Sequence, residues 1–225
     1  MKREGHYTTK EIEEDLKKNP EKGSGSHLLK WVGGVVMAGL MVLWLVPYYG
    51  IPWHPEPSGV PSFDMFRNYS VEANPGVASD IVLYRKFVTP SDPVIKQAAN
   101  IVVQSCPGDK VCYAKALFYF VRDGLQYVND PLGTEYVEPA REVLQIGAGD
   151  CESGSILLAS LLEAVGIDAQ LVFIQGHAYV RVMLPEAPKT VKEDGWIYLD
   201  WTCSNCGFGE LSPNTRKKER SFLEV

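Results

Sequence analysis

From Trp31 to Ile51 the chain carries no charged residue, and its apolar side chains cover every face that a helix would present. About 20 such residues span the hydrocarbon core of a bilayer, so the pattern predicts one transmembrane helix over residues 31–51. Lys30 and Trp31 mark one boundary, and Tyr48, Tyr49 and Trp53 cluster at the other, as an aromatic belt requires. A buried core helix would be striped instead of apolar all round. A cleaved signal peptide would carry a shorter charged leader and a small-x-small cleavage site, and none follows here. The expectation is a single-pass signal anchor.

Before the anchor, residues 1–30 form an arm in which Thr8-x-x-Glu11 is a capping-box pattern, predicting a short solvated helix from Thr8 to Lys18. After it, Pro52, Pro55, Pro57 and Pro61 favour extended polyproline-type chain, a stiff stalk over residues 52–62. A globular domain is then expected over residues 63–225. Within it Ile81–Val88 alternates weakly, as a strand would. Ser91-Asp92-Pro93 opens a helix, with Pro in the first turn. Asp109–Arg122 places Val111, Ala114, Leu117, Phe118 and Val121 on one helical face, and Pro139–Gln145 reads as a short helix. Ser153–Val165 is strongly helical and stops at Gly166, a natural C′ residue. Beyond Gly166 the period changes to two, giving strands at Ala169–Gln175, Ala178–Leu184 and Trp196–Thr202. Helices first and an antiparallel sheet afterwards define an α+β class.

Charge adds direction to this plan. The net charge of −6 offers no basic stripe for nucleic acid. Seven Lys/Arg lie in residues 1–30, whereas Arg67, Arg85 and Lys86 are the next to follow the apolar run. The positive-inside rule therefore puts the N-terminus in the cytoplasm and the domain outside the cell membrane. The C-terminal Arg216-Lys217-Lys218-Glu219-Arg220 reads as a solvated tail.

Of five cysteines, Cys106/Cys112 and Cys203/Cys206 form two close pairs and leave Cys151 over. An exported location predicts two local disulfides for the pairs. A four-cysteine zinc site is the rival reading. The odd cysteine of an exported domain is a reactive thiol or an intermolecular link. Gly147-Ala148-Gly149-Asp150-Cys151 is a glycine-bearing turn feeding an apolar helix, which sets Cys151 at the helix N-terminus. Unpaired N–H groups and the dipole there are expected to lower a thiol's pKa and to cradle an oxyanion. Asp150 and Glu152 read as charges complementing that helix end. His177 is the one histidine beyond the stalk, hence the candidate base. Asp200 ends the following strand, and antiparallel pairing would bring it beside His177 to hold the imidazole tautomer. Tyr179 and Trp201 are expected in the core or as cleft walls. A second oxyanion donor belongs upstream of Cys151, and Tyr127 is a candidate. No calcium-loop pattern is present, and neither metal nor cofactor is expected.

Tyr127, Asp130-Pro131, Glu135-Tyr136, Pro139, Leu144 and Gly149-Asp150-Cys151-Glu152, followed by LLASLLEAVGIDAQLV, resemble the core of the transglutaminase-like superfamily. His177-Ala178-Tyr179 is similar to its His-x-aromatic strand, and Trp196 with Leu199-Asp200-x-Thr202 to its Trp-x-x-x-Asp-x-Thr strand. The resemblance spans about residues 115–203. It implies a papain-like core with Cys151 as nucleophile, His177 as base and Asp200 as orienting acid, performing thiol acyl transfer on protein or peptide amides. Ser153 stands where an acid is common two places after the cysteine, and Trp201 where proline usually follows the aspartate. A silent module that keeps this scaffold to bind a peptide or cell-surface polymer is the alternative.

Overall fold

The computed structural model describes residues 9–18, 24–49, 56–68, 70, 76–77, 81–131, 133 and 136–225. The chain divides into two units, Met1–Pro52 and Trp53–Val225. In the first, the arm forms α1 (Thr9–Lys18); its predicted capping residue Thr8 lies outside the described residues. The second helix, α2 (Ser24–Tyr49), is longer than the charge-free run suggests, because helix continues back through Lys30 to Ser24. Its stretch His27–Leu45 has mean hydropathy 1.9 and no buried surface, the length and character of a membrane anchor or a signal sequence. Trp53 and the first residues of the Pro-rich stretch lie outside the described residues.

The second unit begins against its own core. Glu56 pairs with Lys115, Val60 packs on the hydrophobic cluster, and Phe63 stacks on Phe120 at 4.7 Å. After β1 (Gly76–Val77) comes the first difference from the periodicity. Ile81–Phe87 is a 3-10 helix, not a strand. Tyr84 and Phe87, three residues apart, and Leu83 pack on the core, and that spacing outweighs the weak alternation. Tyr84 then meets Phe173 edge-on at 5.1 Å.

Asp92 caps α3 (Pro93–Val102), its carboxylate accepting from the Val94 and Ile95 N–H groups. Asp109 likewise caps α4 (Lys110–Gly124) through the Cys112 N–H at 2.8 Å. Two-residue strands β2 (Gln126–Tyr127) and β3 (Tyr136–Val137) follow, then α5 (Ala140–Ile146), β4 (Ala148–Gly149) and α6 (Cys151–Ala164). β1 pairs with β3 and β2 runs parallel to β4. The remaining elements are β5 (Ala169–Ile174), β6 (His177–Val182), β7 (Ile197–Leu199), α7 (Pro213–Arg216) and β8 (Ser221–Glu224), whose strands form one antiparallel sheet in the order β7-β6-β5-β8.

The α6 helix is the centre of this unit. It is apolar all round because every face meets protein: α3, α4 and α5, and the sheet strands β5 and β6. Ile156, Leu157, Leu158, Leu161 and Leu162 are wholly buried, each contributing about 1.5–3 kcal/mol of apolar transfer. Gly166, at φ +73°, ends the helix in the left-handed conformation expected of a C′ glycine. Strand alternation divides the sheet between two cores. Leu171, Val180, Val182, Ile197 and Leu199 join the α6 core, whereas Val172, Tyr179 and Tyr198 form a second cluster with Leu211.

The basic C-terminal cluster is not a solvated tail. Arg220 donates to Glu193 at 2.6 Å and lies over the Tyr198 ring at 4.5 Å, and Lys218 donates to the Gln175 carbonyl. The chain then continues as β8 along the edge of β5. A four-residue strand is too short to betray itself by alternation, and its partners lie far away in sequence. Both cysteine pairs close as disulfides, Cys106–Cys112 and Cys203–Cys206, leaving Cys151 free.

Candidate active site

The turn before Cys151 is built by glycine and a cap. Gly147 ends α5 at φ +75°, a left-handed backbone that favours glycine, with the Arg67 guanidinium lying against it. The chain next runs beside β2, whose Gln126 and Val128 N–H groups donate to the Gly147 and Gly149 carbonyls at 3.0 Å. Asp150 then caps α6, accepting from the Ser153 N–H at 2.9 Å, and Cys151 is the first helical residue. The helix end expected for the thiol is therefore present.

Its electrostatics run opposite to expectation. The Cys151 Sγ donates to Glu152 Oε2 at 2.8 Å. Burial, with only 7% of the residue exposed, is the largest influence on the thiol and pushes its pKa up. The Glu152 charge and hydrogen bond and the Asp150 charge push the same way, against a hydrogen bond from the Ala178 backbone N–H. The helix dipole does not prevail over burial and two flanking carboxylates. Asp150 is also raised, first by burial and then by its hydrogen bond with Glu152, so the acids serve for more than helix-end charge. Burial and a hydrogen bond to Cys151 raise Tyr127 to about 12.

Trp201 is only 2% exposed and fixes the same helix end. Its Nε1 donates to the Cys151 carbonyl at 3.3 Å, and its ring lies where a Cβ on Gly154 would come within 2.2 Å. The exposed Tyr127 ring packs over it at 5.9 Å. Ser155 ties the first turn to the sheet, donating to the carbonyls of Cys151 at 2.7 Å and Ala178 at 3.3 Å. Ser153, which stands where an acid was expected, borrows one: its hydroxyl donates to the Glu138 carboxylate.

The sheet supplies the other half. His177 and Asp200 lie at the same end of neighbouring antiparallel strands, on the face shared by Tyr179 and Tyr198. His177 Nε2 is 3.1 Å from both carboxylate oxygens of Asp200. An ionised Asp200 only accepts, so Nε2 carries the proton and Nδ1 is left with its lone pair. Asp200 is 2% exposed, and its Oδ1 also accepts from the Thr202 hydroxyl at 2.8 Å and N–H at 3.3 Å.

Of the three candidate residues, His177 and Asp200 are thus joined directly. Cys151 reaches the same end of the sheet through Ala178, the neighbour of His177 in sequence, and no hydrogen bond among the described residues joins the thiol to the imidazole. Glu152, Trp201 and Ser155 are the participants that sequence reasoning missed in these roles; a polar or indole side chain contacting a backbone carbonyl leaves no periodic trace. Asp150, Cys151 and Glu152 offer an oxygen, a sulfur and an oxygen within 4.8 Å of one another, the one such group of potential metal ligands among the described residues. A cavity of about 490 Å³ lies elsewhere, lined by Pro61, Phe63, Arg67, Tyr119, Phe120 and Asp123 among others, and includes none of the three candidates.

A comparison with curated proteins finds no match. Among solved structures, one described as a "putative protease" from Parabacteroides distasonis is similar with a TM-score of 0.41 and 15% identity; the match covers 52% of this chain and a quarter, 25%, of that protein's length. The family model of the transglutaminase-like superfamily matches residues 96–201, a stretch that includes Cys151, His177 and Asp200. The chain carries a domain of the transglutaminase-like superfamily.

Proposed function

We propose that this chain is a membrane-anchored, extracytoplasmic thiol enzyme that attacks amide bonds of proteins or peptides, with Cys151 as nucleophile, His177 as base and Asp200 as the acid that orients it. The observation carrying this reading is the His177–Asp200 pair, 3.1 Å apart through both carboxylate oxygens, at the end of the sheet to which the free thiol is tied. In this mechanism His177 Nδ1 takes the thiol proton, Sγ attacks the amide carbonyl, and the imidazolium returns the proton to the leaving amine. Water or an amine then releases the acyl group from Sγ. The Cys151 backbone N–H and the Tyr127 hydroxyl are the candidate donors to the oxyanion. The apolar helix and the Lys-rich arm before it support the anchor and its orientation, and two closed disulfides support an oxidising surrounding.

The test is acylation of the full chain in detergent by p-nitrophenyl acetate, followed by mass mapping. Acetyl should appear on Cys151 alone. Cys151→Ala should abolish acylation and reduce peptide-amide turnover by about 10³-fold or more, with an unchanged melting temperature. Full activity in that variant would end the proposal.

One observation favours a second reading, a non-catalytic module that binds a peptide or cell-surface polymer. The resting thiol is buried, protonated and bonded to Glu152, not to His177. If Cys151 resists acylation while His177 and Asp200 are intact, this reading takes over.

A further inference from the structure

The reading above leaves the thiol's resting bond unexplained. A nucleophile served by His177 should donate its S–H to the imidazole, yet Sγ donates to Glu152 Oε2 at 2.8 Å. The charged side chains that bear on this thiol are acids. Asp150 and Glu152 come from the start of α6, and Asp130, which bears on Asp150, comes from the loop after β2. The Tyr127 hydroxyl faces Sγ from β2, and β6 presents the Ala178 N–H. His177 and Asp200 close the sheet side with each other.

Resting on the nucleophile reading, we propose that Glu152 is a positioning residue that latches Cys151 as a thiol in the free protein, and that a cationic group beside the substrate's scissile amide releases it. A Lys, Arg or amine substituent of the substrate pairs with the Glu152 carboxylate. Its charge is then offset, and Oε2 no longer has to take its hydrogen bond from sulfur. The freed S–H proton passes to His177 Nδ1, while Nε2–H stays on Asp200, leaving a thiolate–imidazolium pair with no net gain or loss of protons. An anionic substrate would tighten the latch through like-charge repulsion. Glu152 thereby selects substrate charge without touching the reacting carbonyl.

Glutamine keeps an oxygen that can accept from sulfur but removes the charge, so Glu152→Gln isolates the electrostatic latch. Two readouts on the full chain in detergent separate it from a purely structural role. The first is the pH profile of iodoacetamide alkylation at Cys151, mapped by mass. Glu152→Gln should move its midpoint down by about one unit or more, because one fewer anion opposes the thiolate. The second uses charged thiol reagents. For the wild type, the rate ratio of aminoethyl to sulfonatoethyl methanethiosulfonate, normalised to 2-mercaptoethanol, should exceed that of Glu152→Gln roughly tenfold. Should the variant fail to fold by circular dichroism, the wild-type ratio still decides. It must lie well above that of 2-mercaptoethanol and fall as salt rises. A Cys151 that reacts identically in both proteins, or a wild-type ratio equal to that of 2-mercaptoethanol, overturns the latch alone. A Cys151 inert in both overturns the latch and the nucleophile reading with it.

Discussion

The two halves of the candidate site are in different states. On the sheet, His177 and Asp200 are assembled, with both carboxylate oxygens 3.1 Å from Nε2 and Thr202 holding one of them from behind. On the helix, Cys151 is placed but not engaged: its S–H donates to Glu152, and burial with two acids opposes ionisation. Hydrogen-bonding partners in adjacent strands are fixed once the register is fixed, and they cost nothing more to assemble. A thiol at a helix end is subject to dipole, burial and neighbouring charge at once, and burial with charge prevails here. The difference teaches that a complete set of catalytic residue types says nothing about which proton lies where.

The strongest way to break the comparison is to disable the sheet half alone. Asp200→Asn should lower turnover by about 10²–10⁴-fold, roughly 3–5 kcal/mol of transition-state stabilisation, because the amide no longer enforces the Nε2–H tautomer. The resting iodoacetamide profile of Cys151 should stay where it is, since the thiol is bonded to Glu152 and not to His177. A parallel shift of both readouts would mean that the two halves are already coupled in the free protein.

A smaller effect is expected from the seam between the halves. Gly154→Ala places a Cβ 2.2 Å from the Trp201 ring, which is itself buried and bonded to the Cys151 carbonyl at 3.3 Å. Neither the wholly buried helix nor the indole can yield cheaply, so overpacking should cost about 3 kcal/mol. Melting temperature should fall by about 6–12 °C, and Cys151 should become more open to alkylation as Trp201 shifts. A variant with wild-type stability would show that the indole has room to move.

What could be read from sequence follows the same division. The α6 helix, its Gly166 stop, the three strands after it and the helix starts at Ser91-Asp92-Pro93 and Asp109 all rest on short-range periodicity or turn chemistry; each is observed within a residue or two, except that the last strand ends at Leu199 and not at Thr202. His177 and Asp200 were legible as a pair because one starts its strand and the other ends the next, so antiparallel pairing sets them at the same end. The Ile81–Phe87 segment was misread because seven residues leave period two and period three poorly separated. β8 was missed because its pairing with β5 is long-range. The Glu152 bond was illegible for another reason: a residue adjacent to the free cysteine can turn toward it or toward solvent, and only the burial around Cys151 decides.

The smallest expected effect sharpens the sheet half. Thr202 donates its hydroxyl to Asp200 Oδ1 at 2.8 Å and its N–H to the same oxygen at 3.3 Å. Thr202→Val keeps the β-branched shape and the N–H but deletes the hydroxyl, so one of the bonds orienting a nearly fully buried carboxylate is lost. Such a bond contributes about 1 kcal/mol net, and the folded state should lose about that much. Turnover should fall by less than tenfold, because the two contacts to His177 Nε2 remain and still impose the tautomer. Thr202→Ser, which restores the hydroxyl without the methyl, should recover turnover but not all of the stability. If valine instead matched the loss in Asp200→Asn, the carboxylate would owe its orientation to Thr202 more than to the strand that carries it, and the sheet half would be as conditional as the helix half.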